Sequence, residues 1–370
     1  MSGKCGKALT DDDKAVRKWF VSEMKVLGCK VLVDEMGSIF AIRPGENNEL
    51  PSIAIGSHLD TPLEDGRYSG ITGVMAGVEI MRTLAENKVT TYAPIAVVNW
   101  TNGGGGRFPK AIVASGVWSG DIRLADAHNL QTHSDVPEET TMRSELERIG
   151  FKGDLSASHE ANPLLAHFEL YVDQHSVLQD QSIDVGIVTG GQAMLWYDVQ
   201  IFGPAHISMN HEDPVRMQAQ TRRIGSLHPF RTPNDRGNDT NTKLLIICSH
   251  LSEEKLGSYI EDFFFTVEQL SQPRFEYRYH EKWRSSQIQF HKDIIKSLKE
   301  STNAQGLSSL DMRPDDVIVS YYTSQRVPTG MVYIPYSEGK DPSSKALADG
   351  LQTLIGAMLR YDDLVRSRAD

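Results

Sequence analysis

Ile53-Ala-Ile-Gly-Ser-His-Leu-Asp-Thr61 is the stretch on which the reading of this chain turns. Ile53 to Gly56 is a continuous apolar run, the pattern of a strand covered on both faces. Gly70 to Leu84 then repeats apolar residues at helical spacing, at Ile71, Val74, Met75, Val78 and Met81. Pro94 to Trp100 is a second buried run. Strand, helix and strand in that order imply a largely parallel sheet flanked by helices. Upstream, Thr10 with Asp13 three residues on reads as a capping box opening an amphipathic helix from Asp11 to about Leu27. Lys30 to Val33 and Ser38 to Ile42 around Met36-Gly37 read as a hairpin.

Downstream, Glu169 to Val172 and Val185 to Val188 continue the strand pattern, and Leu195 to Phe202 begins an alternating run of a different kind. A helix-like segment near Pro214 to Ile224, a strand at Leu244 to Cys248, a helix near Ser252 to Leu270 and a strand at Arg274 to Tyr279 follow. Arg231 to Asn241 reads as a loop. A final strand, Val327 to Ile334, and a closing helix, Ser344 to Tyr361, return to the first pattern. The expectation is an α/β domain from 1–192 and 291–370, with a mixed, mostly parallel sheet. A smaller α+β lid or dimerisation domain, 193–290, is inserted in it.

The 370 residues are 39% hydrophobic and 24% charged, which is enough to bury a large core without covalent staples. The net charge of −11 argues against a nucleic-acid groove or an anionic membrane surface as partner. No window approaches the roughly 18 apolar residues of a membrane-spanning segment. Cys5, Cys29 and Cys248 are odd in number and widely spaced, so neither a disulfide framework nor a zinc knuckle is indicated. With a polar Met1 to Lys14 and no signal-like segment, the expected compartment is the cytosol.

His58-Leu-Asp60 stands just past the first buried strand. In a metal site, His58 would bind through one ring nitrogen and Asp60 would orient the ring through the other. In isolation the same tripeptide is an ordinary strand end. It is followed, however, by Asp65-Gly-Arg-Tyr-Ser-Gly-Ile-Thr-Gly-Val-Met-Ala-Gly77 and Asn99-Trp-Thr-Asn-Gly-Gly-Gly-Gly-Arg-Phe-Pro109. Phe168-Glu-Leu-Tyr-Val-Asp-Gln174, Gly186-Ile-Val-Thr-Gly190 and Arg326-Val-Pro-Thr-Gly-Met331 come later. In order and spacing the chain resembles the aminoacylase/carboxypeptidase superfamily of zinc peptidases. Within it the chain is most similar to the N-carbamoyl-amino-acid amidohydrolases, which include β-ureidopropionase and allantoate amidohydrolase. The resemblance runs from about Asp11 to the C-terminus and is patchy from Trp196 to Asp316.

The departures fall on the residues that matter to that family. Tyr68-Ser69-Gly70 stands where the family has Tyr-Asp-Gly with a metal-binding Asp. Thr101-Asn102 is followed by Gly103 and Gly104 where the family has its general-base and zinc-binding glutamates. Tyr171 replaces a zinc-binding His, and Val317-Ile-Val319 replaces a Gly-His-Asp. Gly339 to Pro342 lacks the last His. Catalytic zinc takes about three protein ligands and one open position. Only His58 with Asp60 survives, and Cys248, His175 and Asp173 are the residues that could rescue a site. Ile246-Ile-Cys-Ser-His250 matches a strand end whose Arg grips a substrate carboxylate, with Ser249 in the Arg position, which argues against an N-carbamoyl amino acid as substrate. Ala205-His206 matches the family motif that reaches a neighbouring subunit's site.

These residues lead to an expectation of no metal, no cofactor and a metal-independent enzyme. His58, Asp60, Tyr171, His175 and Ser69 would be its catalytic residues. Arg107, Asn102, Glu169, Asp173 and His206 would bind substrate. The chemistry would be acid–base cyclisation, isomerisation or elimination of a small amine-, imine- or amide-containing metabolite. Two alternatives stand beside it: a non-catalytic subunit, and a zinc-dependent C–N hydrolase with a rearranged metal site. Each residue also has a plain structural reading. Tyr171 would fill space, His175 would sit in a turn, His206 would be structural, and Arg107 would make a salt bridge or carbonyl bonds. Trp196 and Trp283 read as core or domain-interface residues. The expected assembly is a homodimer through the inserted domain.

Overall fold

A computed structural model of the chain describes residues 6–61, 69–132, 140–174, 176–202, 230–231, 241–271, 276–314, 318–336 and 341–369. Its strands are β1 (Lys30–Val33), β2 (Ile39–Arg43), β3 (Ser52–Ser57), β4 (Ile95–Asn99), β5 (Leu164–Asp173), β6 (Val185–Val188) and β7 (Gly190–Gly191). They continue as β8 (Ala193–Phe202), β9 (Phe230–Arg231), β10 (Asn241–His250), β11 (Glu276–Ser285), β12 (Ile288–Gln289), β13 (Ser309–Met312) and β14 (Thr329–Pro335). Among the described residues, eight strands form one sheet in the order β1-β2-β4-β3-β5-β14-β6-β13. Pairing is parallel from β4 through β3 and β5 to β14, and again between β6 and β13. The β1-β2, β2-β4 and β14-β6 pairs are antiparallel. The architecture is α/β, a mixed sheet with flanking helices and a smaller inserted α+β unit.

All six residues of β3 are buried, as are all five of β4, which explains why these strands read as unbroken apolar runs rather than as alternation. The helix Ser69–Glu86 lies directly on them. A Cβ at Gly73 would stand 2.7 Å from the Ser57 side chain and 2.9 Å from the Leu170 carbonyl, and one at Gly77 would stand 2.7 Å from Val97. Glycine at these two positions is what lets helix and sheet approach so closely. Below the sheet's centre, Trp100 meets Phe40 and Trp118 edge-on at 5.6 and 5.5 Å. The Trp118 ring N–H donates to the Asn162 carbonyl at 2.9 Å.

The first helix, Asp11–Val26, is capped as expected on one side only. The Thr10 hydroxyl accepts from the Asp13 amide at 3.3 Å. The Asp13 carboxylate, however, turns to the Leu9 amide and to Arg17 instead of completing a reciprocal box. Helices at 113–119, 124–128, 142–149 and 292–304 have no counterpart in the sequence reading. Three of them are under nine residues long, and one of these, 113–119, is buried throughout, so no amphipathic period marks it.

The second sheet, β11-β8-β10-β9, is antiparallel. The helix Glu253–Ser271 covers one face of it through Leu256, Ile260, Phe263 and Phe264. β11 begins at Glu276 and extends to Ser285, beyond the expected end at Tyr279. The expected helix near Pro214 to Ile224, and nearly all of the loop from Arg231 to Asn241, lie outside the described residues.

Candidate functional site

His58 leaves the C-terminal end of β3, at the middle of the larger sheet, the position at which parallel α/β sheets present their loops to ligands. The adjoining strand holds this turn from the side. Asn99, the last residue of β4, accepts the Leu59 amide on its side-chain oxygen at 2.9 Å. His58 is 3% exposed and Asp60 is 2% exposed. The His58 Nδ1 lies 2.8 Å from the Asp60 backbone carbonyl and 3.7 Å from its carboxylate. A carbonyl only accepts, so Nδ1 carries a proton, and the neutral ring in this tautomer has its lone pair on Nε2. The two side chains thus stand side by side, with the ring oriented mainly by the Asp60 main chain. The Asp60 carboxylate instead accepts from the Gly103 and Gly104 amides, both at 3.1 Å.

Gly103 and Gly70 shape this arrangement. A Cβ at Gly103 would stand 2.3 Å from the His58 ring, and one at Gly70 would stand 2.4 Å from it. The imidazole fills the space that a side chain at 103 would need. Asn102 adopts a left-handed conformation, φ 56°, which its short amide tolerates. Its amide group donates to the Phe108 and Lys110 carbonyls.

Glu169 on β5 is fully buried. It accepts from the Ser57 hydroxyl at 2.8 Å, the Ser320 amide at 3.0 Å and the Ser320 hydroxyl at 2.6 Å. Burial raises its pKa above the ordinary carboxylate range. The two serines and the neighbouring His58 act in the opposite sense. His167, two residues earlier, was not anticipated. Its Nε2 accepts from the Trp100 ring N–H at 3.3 Å, so its proton is on Nδ1, facing the Thr323 hydroxyl at 3.3 Å. Desolvation lowers its pKa to about 3, and it stays neutral. Neither Ser320 nor His167 carries a sequence signal, because what matters in each is a contact more than a hundred residues away for Ser320 and 67 residues away for His167.

Three residues expected to bind substrate are held by internal contacts. Arg107 donates to Glu145 at 2.5 Å and to the Ala8 carbonyl at 3.0 Å, which is its structural reading. Asn102 is occupied as described above, so neither residue is placed as an oxyanion donor. Asp173 is buried and accepts the Leu178 amide at 2.8 Å. Tyr171 is buried against Tyr333, with ring centroids 6.0 Å apart. Ser69 opens the helix Ser69–Glu86, but its side chain lies outside the described residues, as do His175 and His206.

The zinc that the family resemblance implies can be tested against these contacts. Among the described residues no three His, Cys, Asp or Glu side chains are placed to share an ion. Glu169 has both oxygens engaged by serines, and Cys248 is buried in the smaller unit with its thiol pushed up to about 12. His58 is seated with glycines where carboxylates would be needed. The described residues therefore do not fit a catalytic zinc.

No family model matches the chain. Residues of the chain are 36% identical over 201 positions to an N-carbamoyl-L-amino-acid amidohydrolase of Rhizobium meliloti, covering 54% of this chain and 47% of that protein. The chain thus spans about half the length of that relative. An N-carbamoyl-L-amino-acid amidohydrolase of Pseudomonas sp. (strain NS671) is 22% identical over 391 positions, covering 97% of this chain and 92% of the relative. Among solved structures, a hydantoinase/carbamoylase family amidase from Burkholderia ambifaria superposes with a TM-score of 0.78 at 28% identity, over 95% of this chain and 91% of that one. These relatives are amidohydrolases and amidases. They overturn the expectation of metal-independent cyclisation, isomerisation or elimination, and they favour the C–N hydrolase that stood as its alternative.

Proposed function

Because the chain belongs to the N-carbamoyl-amino-acid amidohydrolase branch of the zinc peptidase superfamily, we propose that it hydrolyses a C–N bond in a small carbamoyl- or ureido-bearing metabolite. The observation that carries this reading is the placement of His58 and Asp60 at the C-terminal end of the central strand β3, within a fold shared along nearly the whole chain with an amidase. In this reading His58 presents Nε2 toward the reacting group, and Glu169 stays buried as a positioning residue behind it. Asp60 ties the His58 turn to the loop Gly103–Gly104. The metal that family hydrolysis implies would need ligands beyond those gathered by the described residues. Outside them the sequence carries His133, His175, His206, His211 and His228.

The test is release of ammonia from N-carbamoyl-L-amino acids and ureido acids, run beside elemental analysis of the purified protein. Turnover that is lost in His58→Ala is the expected result. Ligand binding with no turnover at any added divalent metal would sink the hydrolase reading.

The same reading places the protein in the cytosol as a homodimer through the inserted domain, 193–290. Cys29 and Cys248 are unbridged and buried, which suits a reducing compartment. Among the described residues no helix is long and apolar enough to cross a membrane. Support for the dimer is an exposed aromatic surface on the smaller unit, where Phe265 is 62% and Tyr279 is 48% exposed beside a cavity of about 330 Å³. Sedimentation equilibrium is expected to give twice the 41.2 kDa chain mass, and a monomer at micromolar concentration would contradict it.

A further inference from the structure

The smaller sheet has two unlike faces. Leu195, Tyr197 and Val199 of β8 and Cys248 of β10 pack beneath the helix Glu253–Ser271. Side chains alternate along a strand, so Trp196 and Ser249 project from the opposite face. Trp196 pairs with Ile247 and Ser249 with Met194, which makes Trp196 and Ser249 diagonal neighbours there. Both are buried, at 4% and 0% exposure. The Trp196 ring N–H and the Ser249 hydroxyl have no hydrogen-bond partner among the described residues. Orphaned buried polar groups are uncommon and costly, and two on one face ask for a common explanation.

The surroundings give the chemistry of that explanation. The Trp196 ring lies 4.8 Å from Trp283, and Trp283 in turn meets Tyr321 at 5.2 Å and Tyr322 at 6.3 Å. These neighbours are satisfied: the Tyr321 hydroxyl donates to the Ser286 carbonyl, and Trp283 bonds to Tyr322. The short helix Ser320–Thr323 carries both phenols and also Ser320, which holds Glu169 beside His58. The aromatic wall therefore adjoins the site described above. The charges that act on the two phenols come from carboxylates, Asp121 on both and Glu253 on Tyr321. A substrate carboxylate here would meet no cation among these residues and would face two like charges nearby. A neutral carbonyl oxygen would accept from both orphaned donors.

We propose that this face is a recognition subsite for a neutral, hydrogen-bond-accepting group on an apolar or aromatic body, so that the preferred substrate is an uncharged amide or urea rather than an N-carbamoyl amino acid. The proposal rests on the hydrolase reading for the word substrate, while the subsite itself is tested by binding alone.

The matched probes are N-carbamoyl-L-phenylalaninamide and N-carbamoyl-L-phenylalanine, which differ in the charge of one group. Affinities are measured by isothermal titration calorimetry and by tryptophan fluorescence, with ammonia release followed separately. The amide is expected to bind about tenfold or more tightly than the acid. Ser249→Ala and Trp196→Phe, each removing one donor and little volume, should weaken the amide by about three- to tenfold and leave the acid unchanged. Ser249→Arg should reverse the preference, with the folded state of every variant checked by circular dichroism. Equal or tighter binding of the acid, binding of neither probe at millimolar concentration, or an amide preference untouched by both single variants would overturn the subsite. Preference without hydrolysis would retain the subsite and remove the hydrolase reading. Hydrolysis with the acid preferred would do the reverse.

Discussion

Arg17→Met lowers the stability of the protein by about 3–5 kcal/mol in chemical denaturation at neutral pH, the cost of leaving one partner of a buried ion pair uncompensated. Arg17 is wholly buried in the first helix, with its Nε 2.8 Å from the Asp13 carboxylate. It also donates to the Gly37 carbonyl at 2.7 Å and the Thr101 hydroxyl at 3.2 Å, and its guanidinium lies 5.6 Å from the Phe151 ring centroid. One side chain thus ties the helix to the β1-β2 turn and to the residue that precedes Asn102-Gly103-Gly104. Burial pushes the Asp13 pKa above its ordinary value, a displacement that Arg17 opposes and Asp60 reinforces. Without Arg17 that carboxylate carries an unpaired charge, and its remaining oxygen already lacks a partner.

Two features identify this mechanism. The loss should be smaller near pH 4 than at pH 8, because a protonated Asp13 needs no cation. Asp13→Asn combined with Arg17→Met should recover much of the loss, since Asn can still accept the Leu9 amide. A single-variant cost below about 1 kcal/mol would place the pair in the class of surface ion pairs and refute the argument.

Asp34→Asn is expected to raise stability at pH 8 by up to about 4 kcal/mol and to change it little at pH 4. Asp34 caps the β1-β2 turn: one carboxylate oxygen accepts from the Met36 amide at 2.9 Å and the Ser38 amide at 2.8 Å. The other oxygen has no amide donor among the described residues, and the Ser38 hydroxyl also pulls on the carboxylate. Complete burial raises its pKa from 3.8 to about 7, against the pull of these amides. Between those two values the folded state retains a proton that the unfolded chain has released. Stability therefore falls as pH rises through that window, and the whole contribution is lost above about 7. Asn keeps the acceptor for both amides and cannot titrate. The measurement is the difference in unfolding free energy between variant and wild type across pH 4 to 8. A difference that stays flat would show that Asp34 is ionised throughout.

The larger sheet was legible because its strands announce themselves. β3 and β4 are apolar on both faces, and Gly70 to Leu84 keeps a helical period, so local sequence and tertiary burial agree. The seat of the site was legible in the same way, since His58-Leu-Asp60 follows a buried run. The short helices were not legible, because a helix of five to eight residues spans too few turns to display a period. The roles of Arg107, Asn102 and Asp173 were not legible either, because each depends on which backbone group or carboxylate the fold brings near.

By itself the sequence determined the buried strands β3 and β4, the helix between them, and the placing of Ser69, Gly103 and Gly104 near His58, since those are matters of residue identity and period. Tertiary structure decided how these residues are arranged. The His58 ring occupies the room left at Gly103, the Asp60 carboxylate turns to two amides, and Glu169 is bound by serines from distant segments. It alone exposed the two unpaired donors at Trp196 and Ser249. Whether a buried polar group is satisfied depends on what the rest of the chain brings within about 3 Å, and no property of the residue itself records that.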